Sequence, residues 1–129
     1  ENVELTLMNW EIVPEAYYNQ IMELKNKYNN PVIYLTENGC AYPDIIENGK
    51  INDLKRIEFY KKYLSAVKKS IDNGADVRGY MTWTLMDNFE WALGFEKRFG
   101  LIHVDFETLK RTPKESYYFY ENLIKNNGF

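Results

Sequence analysis

The sequence predicts an α/β fold organised around a parallel strand–helix–strand unit, and three observations carry that reading. Two dense runs of strand-forming residues, VIYLT at 32–36 and VRGYMTWTL at 77–85, lack any apolar–polar alternation. Continuous runs of this kind suit strands covered on both faces. Between the runs lies a segment with helical periodicity. The connection is also long enough for the right-handed crossover that parallel pairing requires.

The elements follow in order. Pro14 opens a first helix, at a position where its missing N–H costs nothing. Tyr17, Ile21, Leu24 and Tyr28 then recur at helical spacing until Asn29-Asn30-Pro31 stops the pattern. After the first strand, CAYPDIIENGKIN is rich in turn formers and reads as loop. Asn52 or Asp53 can cap a second helix, whose apolar stripe is Ile57, Tyr60, Leu64, Val67 and Ile71, with Lys61, Lys62, Lys68 and Lys69 facing water. Asn73-Gly74 closes it with residues that tolerate a left-handed conformation. Gly79, inside the second strand, allows a backbone or bulky side chain to come close. Residues 86–100 follow neither period, and LIHVDF is a short strand in a hairpin-like excursion. Thr112-Pro113-Lys114-Glu115 has the capping-box pattern and opens a last helix over about 113–125.

The 129 residues, 45% hydrophobic and 27% charged, suit one domain over 1–129 with no internal boundary. A net charge of −3 without a basic stripe argues against a nucleic-acid partner. No apolar run approaches the roughly 20 residues of a membrane span, and the N-terminus does not read as a signal peptide. Cys40 is the single cysteine, which excludes an internal disulfide and fits a reducing, cytoplasmic location. Aromatic residues make up 16%, which suits either a ring-filled core or a cleft that stacks on sugar faces. Two parallel strands leave open edges that soluble proteins protect, so the chain reads as part of a larger sheet or as a homo-oligomer.

In parallel α/β folds, functional groups gather where strands end. Glu37 ends the first run, and Trp83, Asp87, Glu90 and Trp91 stand at or beyond the end of the second. An indole can cover the C–H face of a sugar ring while carboxylates accept hydrogen bonds from its hydroxyls. VIYLTENG resembles the strand-seven motif of family 1 glycoside hydrolases, the β-glucosidase family. RIEFYKKYLSAVKKSIDNGADVRGYMTWTLMDNFEW resembles that family's next helix and strand eight, and GFEKRFGLIHVDFETLKRTPKESYYFY resembles its closing segment and last helix. The resemblance implies the C-terminal fragment of a TIM (β/α)8 barrel, strands 7 and 8 with flanking helices. It implies a β-glucosidase with a retaining mechanism, in which Glu37 is the nucleophile and a second carboxyl about 5–5.5 Å away acts as acid and base.

By the same resemblance Trp83 floors the subsite for the non-reducing sugar, Glu90 and Trp91 bind its hydroxyls, and Phe99 lines it. Trp10, in MNWEIVP, stacks on the leaving group. The implied partners are a β-glucoside or cello-oligosaccharide substrate and the N-terminal remainder of the barrel, with no cofactor and no metal. Glu90 would repel a 6-phosphate by like charge, which favours an unphosphorylated sugar. The family's T-x-N-E-P acid/base motif is absent, so the chain alone is expected to be inactive; the alternative is a non-catalytic barrel fragment or an oligomerising sugar-binding module. Smaller departures are Asn9 for the usual Gly, Cys40 for a small residue, and Tyr63 for a frequent His. His103 reads as structural because partners for a metal site are absent. Asp105 reads as a turn or cap acid, and Tyr117-Tyr118-Phe119-Tyr120 as helix-to-barrel packing with some rings left bare.

Overall fold

The computed structural model describes residues 3–129. Helix α1 (Pro14–Lys27) leads into strand β1 (Ile33–Asn38), and a small antiparallel hairpin, β2 (Ile46–Glu47) with β3 (Lys50–Ile51), precedes helix α2 (Leu54–Asp72). Strand β4 (Val77–Thr82) follows, then a 3-10 turn at Trp91–Leu93. A second hairpin, β5 (Ile102–Val104) with β6 (Arg111–Pro113), leads into helix α3 (Glu115–Asn126). β1 and β4 pair in parallel through the α2 crossover, as the two dense runs predict.

Helix α1 starts at Pro14, with Glu15 in its first turn and Lys25 and Lys27 in its last, charges that complement the helix dipole. Asn29 and Asn30 take φ of 56° and 51°, the left-handed region that Asn tolerates better than most residues. Asn30 then spans two connections: its Nδ2 donates to Gly74 O at 3.0 Å, and its Oδ1 accepts from Asp76 N at 3.2 Å. These bonds, with Ile33 N donating to Asp76 O at 2.8 Å, set the two strand entries level. Of the predicted α1 stripe, Ile21 is buried and Tyr17 packs on the core, whereas Leu24 and Tyr28 are exposed. The helix packs along α2, and in its last turn Lys25 Nζ donates to Asn73 O at the α2 C-terminus at 2.9 Å, leaving Leu24 and Tyr28 at the surface.

The α2 stripe also needs correction. Its buried face is Arg56, Phe59, Tyr60, Tyr63, Ala66, Val67 and Ser70, while Ile57 and Leu64 are half-buried and Ile71 is exposed. Two polar side chains lie inside because the fold supplies partners: Ser70 Oγ donates to Ala66 O at 2.9 Å, and Arg56 reaches two carboxylates and two carbonyls. Asp53 stands at the α2 N-cap position without capping that helix. It accepts instead from Ser116 N at 2.8 Å and Ser116 Oγ at 2.6 Å, and so caps α3 from 63 residues away.

Helix α3 therefore begins later than the capping-box pattern suggests. Thr112 and Pro113 complete β6, a place where Pro is tolerated at a strand end, and Lys114 N donates to Leu101 O at 2.9 Å. The segment read as loop after β1 contains the β2–β3 hairpin, turned by Asn48 (φ 51°) and Gly49 (φ 75°). The second run also stops as a strand at Thr82 rather than at 85. Beyond Trp83 the backbone changes partner: Leu101 N donates to Thr84 O at 2.9 Å and Asp87 N to Ile102 O at 3.0 Å.

The core lies on one face of the sheet. Ile12, Cys40, Tyr42, Phe59, Tyr60, Tyr63 and Leu101 form one cluster, and Ile21, Ile33, Val67 and Ala75 a second. The other face is bare, with Tyr34 57% and Met81 46% exposed, so the strands are covered on one side within the described residues and not on both. Tyr34 lies over Gly79, where an added Cβ would sit 2.6 Å from the ring, which explains the glycine in that strand. Among the described residues no helix is long and apolar enough to cross a membrane. Tyr117, Phe119 and Tyr120 pack on the core and Tyr118 is left exposed, as that cluster was expected to divide.

Candidate functional site

Glu37, Trp83, Glu90, Trp91, Phe99 and Trp10 all line one open cleft of about 490 Å3 at the carboxyl ends of β1 and β4. Strand geometry explains how the first two arrive there. Glu37 is the penultimate residue of β1, and Trp83 follows the last residue of the neighbouring β4. The register is locked beside them, since Trp83 N donates to Asn38 O at 2.8 Å. Tyr80 donates its hydroxyl proton to Asn38 Oδ1 at 2.7 Å. Gly39 is required by contact rather than by its dihedral angle: a Cβ there would stand 1.6 Å from the Trp83 carbonyl oxygen. The Trp83–Thr84 peptide is cis.

Glu90 and Trp91 enter on the loop after β4. Glu90 N donates to Gly94 O at 2.7 Å, closing a tight turn in which Trp91 (φ 43°) and Gly94 (φ 59°) are left-handed. Glu90 is half-buried, while Trp91 is 82% exposed, the barest of the large apolar side chains. Phe99 is buried and meets Trp10 in a tilted pair with centroids 5.9 Å apart. Trp10 is presented by a short loop built on Thr6, whose Oγ1 accepts from Met8 N at 3.2 Å and Trp10 N at 3.3 Å. Asn9 has φ 59° in that loop, which accounts for an Asn or a Gly at this position.

Thr6, Glu11, Phe59 and Tyr63 also line the cleft and are absent from the sequence-based site. Glu11 carried a signal, an acid directly after Trp10; Phe59 and Tyr63 carried none, because only the placement of α2 brings their rings to the wall. The rings thus serve both ends left open by composition. Phe59 and Tyr63 stack at 4.3 Å in the core, and the three tryptophans line the cleft.

Asp87 does not join the carboxylates of the cleft. It is 4% exposed and turned inward, where Oδ1 accepts from Lys114 Nζ at 3.0 Å and Gly100 N at 2.9 Å, and Oδ2 accepts from Arg98 Nη1 at 2.7 Å. Burial alone would raise its pKa; the Lys114 ammonium and the Arg98 hydrogen bond outweigh that and hold the carboxyl below its ordinary value. Lys114 also reaches Asp44 Oδ2 at 2.6 Å, so one ammonium joins the loop after β1 to the loop after β4. Burial, with Arg56 nearby, lowers the Lys114 pKa more than the two carboxylates raise it.

His103 does have acidic neighbours, contrary to expectation: Asp44 Oδ2 lies 3.2 Å and Asp87 Oδ2 3.5 Å from its Nδ1. These three residues could by spacing hold a metal, but Lys114 and Arg98 already supply positive charge to both carboxylates. Cys40 is fully buried, and burial pushes its thiol up to about 12, which removes it from thiolate chemistry near neutral pH. Asp105 Oδ1 accepts from Glu107 N and Thr108 N, both at 3.0 Å, and is the turn acid of the β5–β6 hairpin.

Comparison with known proteins places these features in context. The family model described as "Glycosyl hydrolase family 1" matches residues 1–129. The chain is 47% identical over 124 residues to Beta-glucosidase A of Thermotoga maritima, covering 95% of the chain and 28% of the relative. It is 48% identical over 130 residues to Beta-glucosidase A of Acetivibrio thermocellus, covering all of the chain and 29% of the relative. A 6-phospho-beta-galactosidase of Leptotrichia buccalis is 44% identical over 124 residues, 95% of the chain and 27% of that relative. The solved structure of the family 1 b-glucosidase from Thermotoga maritima superposes with a TM-score of 0.97 at 44% identity, covering the whole chain and 29% of that structure. The chain thus spans under a third of the length of these relatives, and its two parallel strands with their helices correspond to part of a barrel.

Proposed function

Because the chain belongs to glycosyl hydrolase family 1, we propose that it carries the nucleophile and the sugar-binding floor of a retaining β-glucosidase. The acid/base carboxyl comes from barrel residues outside these 129. The observation that carries this reading is the convergence of Glu37, Trp83 and Glu90 on one cleft at the ends of adjacent parallel strands.

In this reading Glu37 attacks the anomeric carbon of a terminal β-glucosyl unit. The bond to the leaving oxygen breaks as the external carboxylic acid donates its proton to that oxygen, leaving a glycosyl ester on Glu37. The same external group, now a carboxylate, takes a proton from water, and the resulting hydroxide oxygen displaces Glu37 from the opposite face. Two inversions retain configuration. Trp83 lies under the apolar face of the ring. Glu90 accepts hydrogen bonds from two neighbouring hydroxyls, and Trp91 adds contact at their rim. Trp10 stacks on the leaving group, held at its angle by Phe99. A carboxylate at Glu90 disfavours a phosphorylated sugar through like-charge repulsion, which distinguishes this reading from a 6-phospho-glycosidase.

The test is hydrolysis of an aryl β-glucoside by this chain mixed with the N-terminal complement of the barrel. Turnover that needs both pieces, and is lost in Glu37→Gln, supports the proposal; turnover undiminished in Glu37→Gln removes Glu37 from the role. A second reading, a sugar-binding fragment that self-associates, is favoured by the bare sheet face at Tyr34 and Met81. Light scattering of the chain alone measures that association directly.

A further inference from the structure

Tyr60 lies in the middle of α2, fully buried and outside the cleft, yet its hydroxyl touches the site from behind. It accepts a hydrogen bond from Thr82 Oγ1 and donates one to the Trp83 carbonyl oxygen at 3.3 Å. The same oxygen is blocked on the β1 side by Gly39, where even a Cβ would overlap it. The Trp83 N–H is already committed to Asn38 O at 2.8 Å. The peptide groups on both sides of the Trp83 Cα are therefore fixed, one by strand pairing and the other by a helix-borne phenol.

A ring at this position needs no hydroxyl for packing. Tyr60 sits among Phe59, Tyr63 and Tyr80, and a phenylalanine would fill the same space. A buried hydroxyl is costly unless both its proton and its lone pair are used, and here Thr82 and Trp83 use them. Burial raises its pKa, so the proton stays on the oxygen and the group remains a donor.

We propose that Tyr60 is a positioning residue for sugar recognition, its hydroxyl bridging Thr82 and the Trp83 carbonyl so that the indole is presented at a fixed angle to the glycone. The inference rests on Trp83 being the floor of that subsite. Thr82 supports the bridge from one step back: its hydroxyl donates to the phenol oxygen while the phenol proton goes to the carbonyl, so loss of the Tyr60 hydroxyl is what releases that carbonyl.

The experiment uses this chain labelled with fluorotryptophan, read by fluorine NMR alone and after addition of the unlabelled N-terminal complement, with aryl β-glucoside kinetics on the same mixtures. In Tyr60→Phe the Trp83 resonance is expected to shift or broaden while those of Trp10 and Trp91 stay. The kcat/KM is expected to fall about ten-fold, the scale of one lost hydrogen bond, chiefly through KM. Thr82→Val keeps the phenol proton on the carbonyl, so it is expected to move the Trp83 resonance less than Tyr60→Phe does and to leave kcat/KM within about two-fold of the parent, and the double variant is expected to match Tyr60→Phe within about two-fold. If Tyr60→Phe does not fold, 4-fluorophenylalanine placed at Tyr60, which keeps the ring and fills the place of the hydroxyl without a proton to donate, decides instead. A Trp83 resonance unmoved when the Tyr60 hydroxyl is removed, or a moved resonance with kcat/KM within two-fold of the parent, overturns the proposal. A parent mixture without turnover overturns the β-glucosidase reading instead, and the resonance of Trp83 in the variants still decides whether the clamp exists.

Discussion

Replacing Lys114 with methionine removes the one ammonium shared by Asp44 and Asp87 and leaves the side-chain volume nearly unchanged. Both carboxylates are 2% exposed or less at their side chains, and the lysine side chain is wholly buried, so water cannot take its place without the loops parting. Each acid keeps another cation: Asp87 has Arg98 at 2.7 Å, and Asp44 has Arg56 at 3.5 Å. Breaking a buried pair by removing one partner costs about 3–5 kcal/mol, and the remaining arginines place Lys114→Met toward the lower end, about 3 kcal/mol. At roughly 3–4 °C per kcal/mol for a chain of this size, the melting temperature falls by about 10 °C. Urea titration followed by circular dichroism at neutral pH reads this directly. Adding Asp87→Asn to Lys114→Met is expected to recover about 1 kcal/mol, because it removes part of the unbalanced charge. Loss under 1 kcal/mol in the single variant, or none recovered in the double, would refute the view that this lysine bridges the two site loops.

Gly39→Ala puts a methyl group into the Trp83 carbonyl, where neither backbone can yield, and is expected to destabilise by about 3 kcal/mol or more in the same titration. Trp91→Ala removes a side chain that is mostly in solvent, so stability should change by less than about 0.5 kcal/mol while KM for an aryl β-glucoside in the assembled barrel rises. The depressed pKa of Asp87 contributes to the acid limb of the stability curve. Its contribution is complete above the unfolded carboxyl value of about 3.9 and disappears as pH falls through the lower folded value, so urea midpoints should drop more steeply below pH 4 in the parent than in Asp87→Asn.

Much of the candidate cleft was legible because it lies where dense strand-forming runs give way to loops. VIYLT must stop somewhere, and Glu37 with Asn38 and Gly39 marks the stop; in the neighbouring run strand-forming residues continue to Leu85, and the structure ends the strand just before Trp83. What misled was any inference that needed to know what lies over a surface. Ile71 continues the α2 stripe in sequence but is exposed in an open groove between α2 and α3, while Arg56 lies inside because Asp44, Asp53 and the Arg98 carbonyl meet it, and Ser70 because the helix supplies a carbonyl. Asp53 looks like a cap for its own helix and caps α3 instead. Asp87 resembles Glu90 in every local respect; only Lys114 and Arg98, on other elements, turn it inward. The β2–β3 hairpin is a different kind of miss, since Asn48-Gly49 between Ile46 and Ile51 is a strong local turn signal.

The most direct test is covalent. The chain assembled with its N-terminal complement is incubated with a fluorinated β-glucoside whose electron-poor ring slows breakdown of the glycosyl intermediate, then digested and analysed by mass spectrometry. A single glycosyl adduct on the peptide bearing Glu37, absent in Glu37→Gln, is the expected result. An adduct on Glu90 or Glu11, or sustained turnover with Glu37 unlabelled, would contradict the assignment of the attacking carboxylate.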